Sequence, residues 1–139
     1  MSIAYLDTSA IIKLVRIEVN SETLRTWLGE PGRSDQAWVS SALVLTEVPR
    51  ALRRILPGSP LPDFSRILGR LTLRNVDEEI LVQAGSYAEP TLRSLDAIHL
   101  ATARSIASAA GDEFEALITY DRRLADVAKA DGLDVMAPA

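Results

Sequence analysis

The stretch SIAYLDTSAIIKLV, residues 2–15, joins a short strand-forming run directly to a helix-forming run. Residues 3–6, IAYL, predict a buried strand, and the residues from Ser9 onward predict a helix capped by Thr8 or Ser9. Asp7 lies at the junction of the two elements. Because a carboxylate at the end of a buried strand is costly unless a partner meets it, we expect the rest of the chain to supply one.

The alternation of strands and helices continues along the chain. Further strands are predicted at residues 37–40, 72–76, 115–120 and 133–136. Helices are predicted at residues 21–30, 41–56, 78–88, 92–110 and 122–131. Such alternation is typical of parallel βαβ units, so the sequence predicts an α/β sandwich with a parallel sheet of four or five strands, in one domain over residues 1–139.

The composition excludes several classes of site. The 139 residues contain no cysteine and a single histidine, His99, which excludes disulfides, cysteine nucleophiles and thiolate zinc sites. Any bound metal would therefore have oxygen ligands. Apolar runs are short and the N-terminus has no basic, hydrophobic leader, so we expect a cytoplasmic protein with no membrane span. The net charge of −4 has the wrong sign for binding nucleic acid by bulk charge, but all except two of the fifteen cations are arginines, which suit phosphate.

Four acidic residues occupy positions that simple solvation does not explain. Asp7 ends the first strand, Glu47 lies in the helix after the second strand, Asp96 lies in the most apolar helix, and Asp121 directly follows LITY. In open α/β sheets, the carboxyl ends of strands and the starts of the following helices converge on one crevice. We therefore expect the four carboxylates to face the same end of the sheet.

Each acid also has an ordinary structural explanation. These are an ion pair of Asp96 with Arg93 or Arg104 or its hydrogen bond to His99, an exposed pair of Glu47 with Arg50, and helix capping by Asp7 and Asp121. These explanations do not account for the recurrence of acids in consecutive strand–helix units without a matching lysine or arginine beside each acid. Several neighbouring carboxylates repel one another unless a divalent cation neutralises them, and oxygen ligands suit Mg²⁺ or Mn²⁺. Such a site fits phosphodiester hydrolysis, which needs no histidine, cysteine or lysine.

Four segments carry a resemblance to a known family: YLDTSAIIKL, SSALVLTEVPRALRR, SLDAIHLATA and ITYDRRLADVAKADGLDV. They resemble the PIN-domain nucleases, and closely the VapC toxins of bacterial toxin–antitoxin pairs. The resemblance covers nearly the whole chain in the right order, and the combination of LDTS, a TE helix, LDAIHLATA and TYDRRL at these intervals is specific.

The resemblance implies a three-layer α/β/α fold around the sheet and a Mg²⁺- or Mn²⁺-dependent endoribonuclease, the toxin of a type II toxin–antitoxin system. It also implies inhibition by a cognate VapB-type antitoxin and self-association as a homodimer. It places the catalytic, metal-binding role on Asp7, Glu47, Asp96 and Asp121. Hydroxyls that match near the first and last acids, where they would cap helices or orient a carboxylate or water, are those of Thr8, Ser9 and Thr119.

Neighbouring residues extend this hypothesis. Candidate contacts for RNA phosphates, with a solvated helix face as the alternative, are Arg50, Arg53, Arg54, Arg122 and Arg123. Pro49 directly follows Glu47 and predicts a kink or a weakened turn that affects the direction of that side chain. His99 is interpreted as a packed structural imidazole.

Two other functions fit parts of the sequence. A phospho-accepting receiver-type regulatory domain would need a lysine after a late strand, but Lys13 and Lys129 both lie in predicted helices. A catalytically silent PIN-like binding module would not need all four acids.

Overall fold

The structure, a computed structural model, describes residues 1–62 and 64–139 and contains a five-stranded sheet. The strands are β1 (Ile3–Leu6), β2 (Ala37–Ser41), β3 (Leu71–Arg74), β4 (Phe114–Ile118) and β5 (Val135–Met136). All neighbours pair in parallel, in the order β3-β2-β1-β4-β5. This confirms the predicted parallel sheet and places β1 at its centre.

Helices connect the strands and cover the sheet. They are α1 (Thr8–Val15), α2 (Ser21–Leu28), α3 (Val44–Ile55), α4 (Ser65–Leu68), α5 (Glu78–Gly85), α6 (Ser94–Ala110) and α7 (Arg122–Ala130). Two short 3-10 turns occur at Pro31–Arg33 and Gly111–Glu113. Helix α7 ends as predicted before Gly132, whose φ of +86° is a left-handed conformation that glycine adopts without a steric penalty.

Side chains of the central strand alternate between two cores. Ala4 and Leu6 pack with buried residues of α1, α2 and α3 on one face of the sheet. Tyr5 points to the other face, where it packs with α6 and α7. Helix α5 packs against α6 through a smaller cluster around Ile80 and Ala101. The two covered faces make the fold a three-layer α/β/α sandwich, as the family resemblance implied.

The carboxyl ends of the two central strands determine where the acids lie. Asp7 directly follows β1, and its backbone N–H donates to the carbonyl of Ile118 at the end of β4 (3.2 Å). The residues after both strands therefore start from one edge of the sheet, next to the first turns of α1 and α7. In parallel sheets this edge is where ligand sites form. In the part of the chain that the structure describes, no helix is both long and apolar enough to cross a membrane.

Candidate active site

Asp7 is buried and held by four groups. It is the N-cap of α1, where its Oδ1 accepts a hydrogen bond from the backbone N–H of Ala10 (3.0 Å) and another from Ser9 Oγ (2.7 Å). Its Oδ2 accepts a hydrogen bond from Thr119 Oγ1, which follows β4. The backbone N–H of Ile11 closes the first turn on the Asp7 carbonyl (3.0 Å). Capping of α1 is therefore the work of Asp7 and not of Thr8 or Ser9, and the capping explanation for Asp7 is confirmed.

Glu47 projects from the first turn of α3 toward α1 and α6. Thr8 Oγ1 donates to Glu47 Oε1 (2.8 Å), and His99 Nε2 lies 2.6 Å from the same oxygen. Helix α3 runs without a break through Pro49, with Val48 fully buried. The Glu47 side chain is therefore directed by its contacts with neighbouring helices, and the predicted exposed pair with an arginine on its own helix is not the interaction observed.

Asp96 and Asp121 share one cation. Arg93 Nε lies 3.3 Å from Asp96 Oδ2, and Arg93 Nη2 lies 3.1 Å from Asp121 Oδ2. Asp121 also caps α7 through its Oδ1, which accepts from the backbone N–H groups of Arg123 and Leu124. The ordinary explanations for both acids thus hold locally, and the expectation that no arginine would accompany them is wrong for this pair. The guanidinium side chain is 63% exposed, so solvent screens both ion pairs.

The environment moves the pKa values of three of these acids in different directions. Burial raises the pKa of Asp7, although His99 and the hydrogen bonds from Thr119 and Ser9 oppose it. Burial, with repulsion from Asp121, raises the pKa of Asp96 despite Arg93.

Glu47 shows the opposite balance. Burial acts to raise its pKa, but the hydrogen bond and charge of His99, with help from Thr8 and Arg54, outweigh burial and lower the pKa. The protein therefore stabilises the ionised form at Glu47 and disfavours it at Asp7 and Asp96.

His99 connects the site to the buried side of the sheet. Its Nδ1 lies 2.7 Å from the Tyr5 hydroxyl, and both residues are almost completely inaccessible to solvent. Burial also raises the pKa of Tyr5 well above its usual range, so the phenol keeps its proton. His99 is packed, as predicted, but it also contacts a candidate site residue, which sequence reasoning missed. The signal was present in the strand pattern, because Tyr5 is the one residue of IAYL with a polar tip.

Two clefts open beside these residues. One, of about 300 Å³, is lined by Glu47, Arg54, Arg93 and Asp96, and the other, of about 260 Å³, includes Glu47, Arg54 and Arg50. Arg50 and Arg54 therefore lie at the clefts that the acids line. The other three predicted RNA contacts, Arg53, Arg122 and Arg123, are exposed but do not line either cleft.

Another cavity of about 290 Å³ lies at the opposite edge of the sheet, near the amino ends of β2 and β3. Arg25, Arg33, Trp38 and Arg70 line it together with aliphatic and small residues. Its lining includes no carboxylate, so the acidic residues of the candidate site do not belong to this cavity.

The donor set suits a hard divalent cation. Among residues 1–62 and 64–139, no three Asp, Glu or His side chains stand close enough together to hold a metal ion as they are placed. At Asp96 and Asp121 the Arg93 guanidinium lies between the two carboxylates and pairs with both. Carboxylate oxygens and hydroxyls are the ligands that Mg²⁺ and Mn²⁺ prefer. The residues present therefore fit such an ion in chemistry, provided that Arg93 releases the acids.

Comparisons with known proteins agree with this fold. A family model described as PIN domain matches residues 4–130. Ribonuclease VapC35 of Mycobacterium tuberculosis is 46% identical over 134 residues, which cover 96% of each chain. Ribonuclease VapC46 of the same organism is 43% identical over 140 residues, which cover all of both chains. The chain therefore belongs to the PIN-domain family, in its group of VapC ribonucleases.

A solved structure gives the same fold. It is that of Mycobacterium tuberculosis VapC20, described as a Sarcin-Ricin loop cleaving toxin, and it matches with a TM-score of 0.63 at 17% sequence identity. The match covers 89% of this chain and 94% of the other. At this identity the likeness concerns the fold alone.

Proposed function

We propose that this protein is the toxin of a type II toxin–antitoxin pair and a Mg²⁺- or Mn²⁺-dependent endoribonuclease. The observation that carries the proposal is the placement of four acids around one edge of the sheet, where Glu47 and Asp96 line one cleft and Arg93 bridges Asp96 to Asp121. The relatives that are named ribonucleases support the choice of RNA as substrate. Lys13 and Lys129 lie inside α1 and α7, so neither is placed as a receiver-type domain would require.

The residues that would hold the divalent cation are Asp7, Glu47, Asp96 and Asp121. When bound, the cation supplies positive charge that activates water and stabilises the leaving oxygen. In the hydrolysis, the water oxygen bonds to phosphorus, the bond from phosphorus to one ribose oxygen breaks, and a proton from the water ends on that oxygen.

The chain's own residues orient this site. Ser9 and Thr119 hold the Asp7 carboxylate through hydrogen bonds to different oxygens. Arg50 and Arg54, which are exposed at the clefts, supply positive charge for the RNA phosphates. The acids alone would repel RNA, so these arginines and the divalent cation together make binding favourable.

The partner in this proposal is a cognate VapB-type antitoxin that covers the clefts. Leu45 and Leu95 are large apolar residues about half exposed, and Leu95 lines both clefts. A partner segment with apolar side chains would bury them. A homodimer is proposed from the family resemblance, and the exposed residues Leu81 and Val82 on α5 offer apolar surface for it.

The nuclease proposal predicts loss of cleavage when Asp7 is neutralised. Asp7→Asn keeps an oxygen that can cap α1 but removes the charge, so we expect RNA cleavage to fall to the level seen with EDTA. Wild type and the variant are compared on total RNA with Mg²⁺, Mn²⁺ or EDTA. Asp131→Asn is the control, because Asp131 pairs with Arg104 away from the clefts. Equal cleavage in all lanes would reject the assignment.

The same assay tests the partnership. Co-expression with the product of the neighbouring antitoxin-like reading frame should give a stable complex with little nuclease activity. A toxin that stays free and fully active in that experiment contradicts the partnership while leaving the nuclease proposal in place.

A further inference from the structure

A continuous line of hydrogen bonds runs from the core to Glu47. It begins at the Tyr5 hydroxyl on β1, passes through both ring nitrogens of His99 on α6, and ends at Glu47 Oε1 on α3, with distances of 2.7 Å and 2.6 Å. Tyr5 is fully buried and His99 is 1% exposed. Three elements that are distant in sequence are thus connected by side chains whose positions the core fixes.

The direction of these hydrogen bonds follows from their chemistry. In the neutral imidazole, a Tyr5 hydroxyl that donates to Nδ1 leaves the ring proton on Nε2, and in the protonated imidazole both nitrogens donate. In either form the Nε2–H group donates to the Glu47 carboxylate. Tyr5 then fixes the orientation of the His99 ring. Metal-binding histidines are oriented in the same way, by a hydrogen bond to the ring nitrogen that does not bind the metal. If the His99 imidazole were rotated by half a turn, it would lose its hydrogen bonds to both Tyr5 and Glu47.

Both donors reach the same oxygen of Glu47. Thr8 Oγ1 and His99 Nε2 contact Oε1, and among the described residues no side chain donates a hydrogen bond to Oε2. Since Glu47 lines both clefts, Oε2 is the oxygen left for a cation or a water.

Glu47 depends on contacts with other side chains to fix its orientation more than Asp7 and Asp121 do. Two of the aspartates, Asp7 and Asp121, are fixed by capping the helices that follow them. A glutamate has one more rotatable bond than an aspartate and loses more freedom when it is fixed. Glu47 also lies too far into α3 to be fixed as that helix's cap.

We infer that Tyr5 and His99 are positioning residues that hold Glu47 Oε1 so that Oε2 is presented to the divalent cation. The inference rests on the proposed function, because the orientation of Oε2 matters only if Glu47 binds the divalent cation. The alternative is that His99 is only a satisfied polar group in the core, with no effect on what Glu47 binds.

Mn²⁺ affinity separates these two possibilities. Tyr5→Phe keeps the ring and removes the hydroxyl, and we expect it to weaken Mn²⁺ binding by about tenfold in calorimetric titration, the lower end of the range for groups that orient ligands. His99→Leu should weaken it further, whereas His99→Gln, whose amide N–H can still donate to Glu47, should retain most of the affinity. The control is Tyr120→Phe, which loses a phenol hydrogen bond of the same length to the Pro138 carbonyl.

A measurement without metal tests the geometry directly. Because His99 is the only histidine in the chain, imidazole ¹⁵N spectra of the metal-free protein contain one set of signals. We expect the Nε2–H tautomer in wild type and in Tyr120→Phe, and a mixture of tautomers in Tyr5→Phe. Urea unfolding of both phenylalanine variants reports the stability that each hydroxyl contributes.

The outcomes are distinct. If wild type binds Mn²⁺ and Tyr5→Phe and His99→Leu bind it equally well, or if the ring carries its proton on Nδ1, the positioning role is wrong and the proposed function is untouched. If wild type binds no Mn²⁺, the proposed function fails and the positioning role falls with it. Rescue by His99→Gln with weakening in Tyr5→Phe supports the inference.

Discussion

At the scale of single residues, the site consists of acids that are each stabilised by a different kind of neighbour. Asp7 has hydroxyls and a helix N-terminus, Glu47 has a hydroxyl and an imidazole, and Asp96 shares a guanidinium with Asp121. The guanidinium is the least permanent of these partners because Arg93 is mostly exposed. A divalent cation that binds the same acids must compete with it.

This competition predicts a gain in metal affinity when Arg93 is neutralised. In Arg93→Gln, Mn²⁺ no longer has to displace a cation from Asp96 and Asp121, so we expect its dissociation constant to fall several-fold in calorimetric titration. Arg104→Gln removes a comparable exposed ion pair with Asp131 outside the clefts and should leave the constant unchanged. Unchanged or weaker Mn²⁺ binding in Arg93→Gln would show that Arg93 does not occupy the cation's position.

At the scale of secondary-structure elements, helix α3 presents both an acid and cations to the clefts. Glu47 lies in its first turn, and Arg50 and Arg54 follow at spacings of three and seven residues, which places them on one side of the helix. Arg53 is exposed on the same helix but does not line a cleft. The helix therefore contains its own matched control for phosphate binding.

Neutralising the cleft arginines should reduce the salt dependence of RNA binding. In an Asp7→Asn background with Mn²⁺, where RNA stays intact, Arg50→Gln combined with Arg54→Gln should weaken binding. Each phosphate contact contributes about 0.7 to the slope of log affinity against log salt, so the slope should fall by roughly 1.4. Arg53→Gln should leave the slope close to its starting value. An unchanged slope in the double variant would assign these arginines to a solvated helix face.

Helix starts were the least predictable part of the elements. Helix α1 begins at Thr8, one residue before the prediction, because the Asp7 carboxylate supplies the cap. Helix α3 begins at Val44 and not near residue 41, because the Ala42 N–H still donates to the Arg74 carbonyl and extends the pairing of β2 with β3. A bond between distant strands decides that boundary, and a local pattern cannot contain it.

At the scale of the whole molecule, the acids link folding to metal binding. A ligand that binds only the folded state stabilises it by RT ln(1 + [L]/Kd), which is about 2.7 kcal/mol at a hundredfold excess over Kd. For a domain of this length that corresponds to a rise of roughly 8 °C in Tm. We expect Mn²⁺ to raise the Tm of wild type by about this amount and to raise that of Asp96→Asn by less.

The raised pKa of Asp96 also predicts how the difference in stability between wild type and Asp96→Asn changes with pH. In EDTA the unfolded chain loses this proton near pH 3.8 and the folded chain only at higher pH, so wild type loses stability relative to Asp96→Asn as the pH rises through that window. At neutral pH the metal-free variant should therefore melt no lower than wild type, despite losing its pair with Arg93. A clear destabilisation of the variant at neutral pH, with no effect of Mn²⁺ on either protein, would mean that Asp96 serves only as a structural ion pair.

The sequence alone determined the layered parallel fold, because the alternation of strands and helices depends on nearby residues. The metal-binding role of the four acids stays a prediction, and the hydroxyls near Asp7 were matched through the family resemblance. Tertiary structure decided which groups meet: Arg93 between two acids, and Tyr5 behind His99 and Glu47. The physical reason is that a hydrogen bond or ion pair forms only when its two atoms, on elements far apart in the chain, are placed to within a few tenths of an ångström. Sequence periodicity determines the face on which a side chain lies. Only the packing of the sheet and helices determines which side chain of another element it contacts.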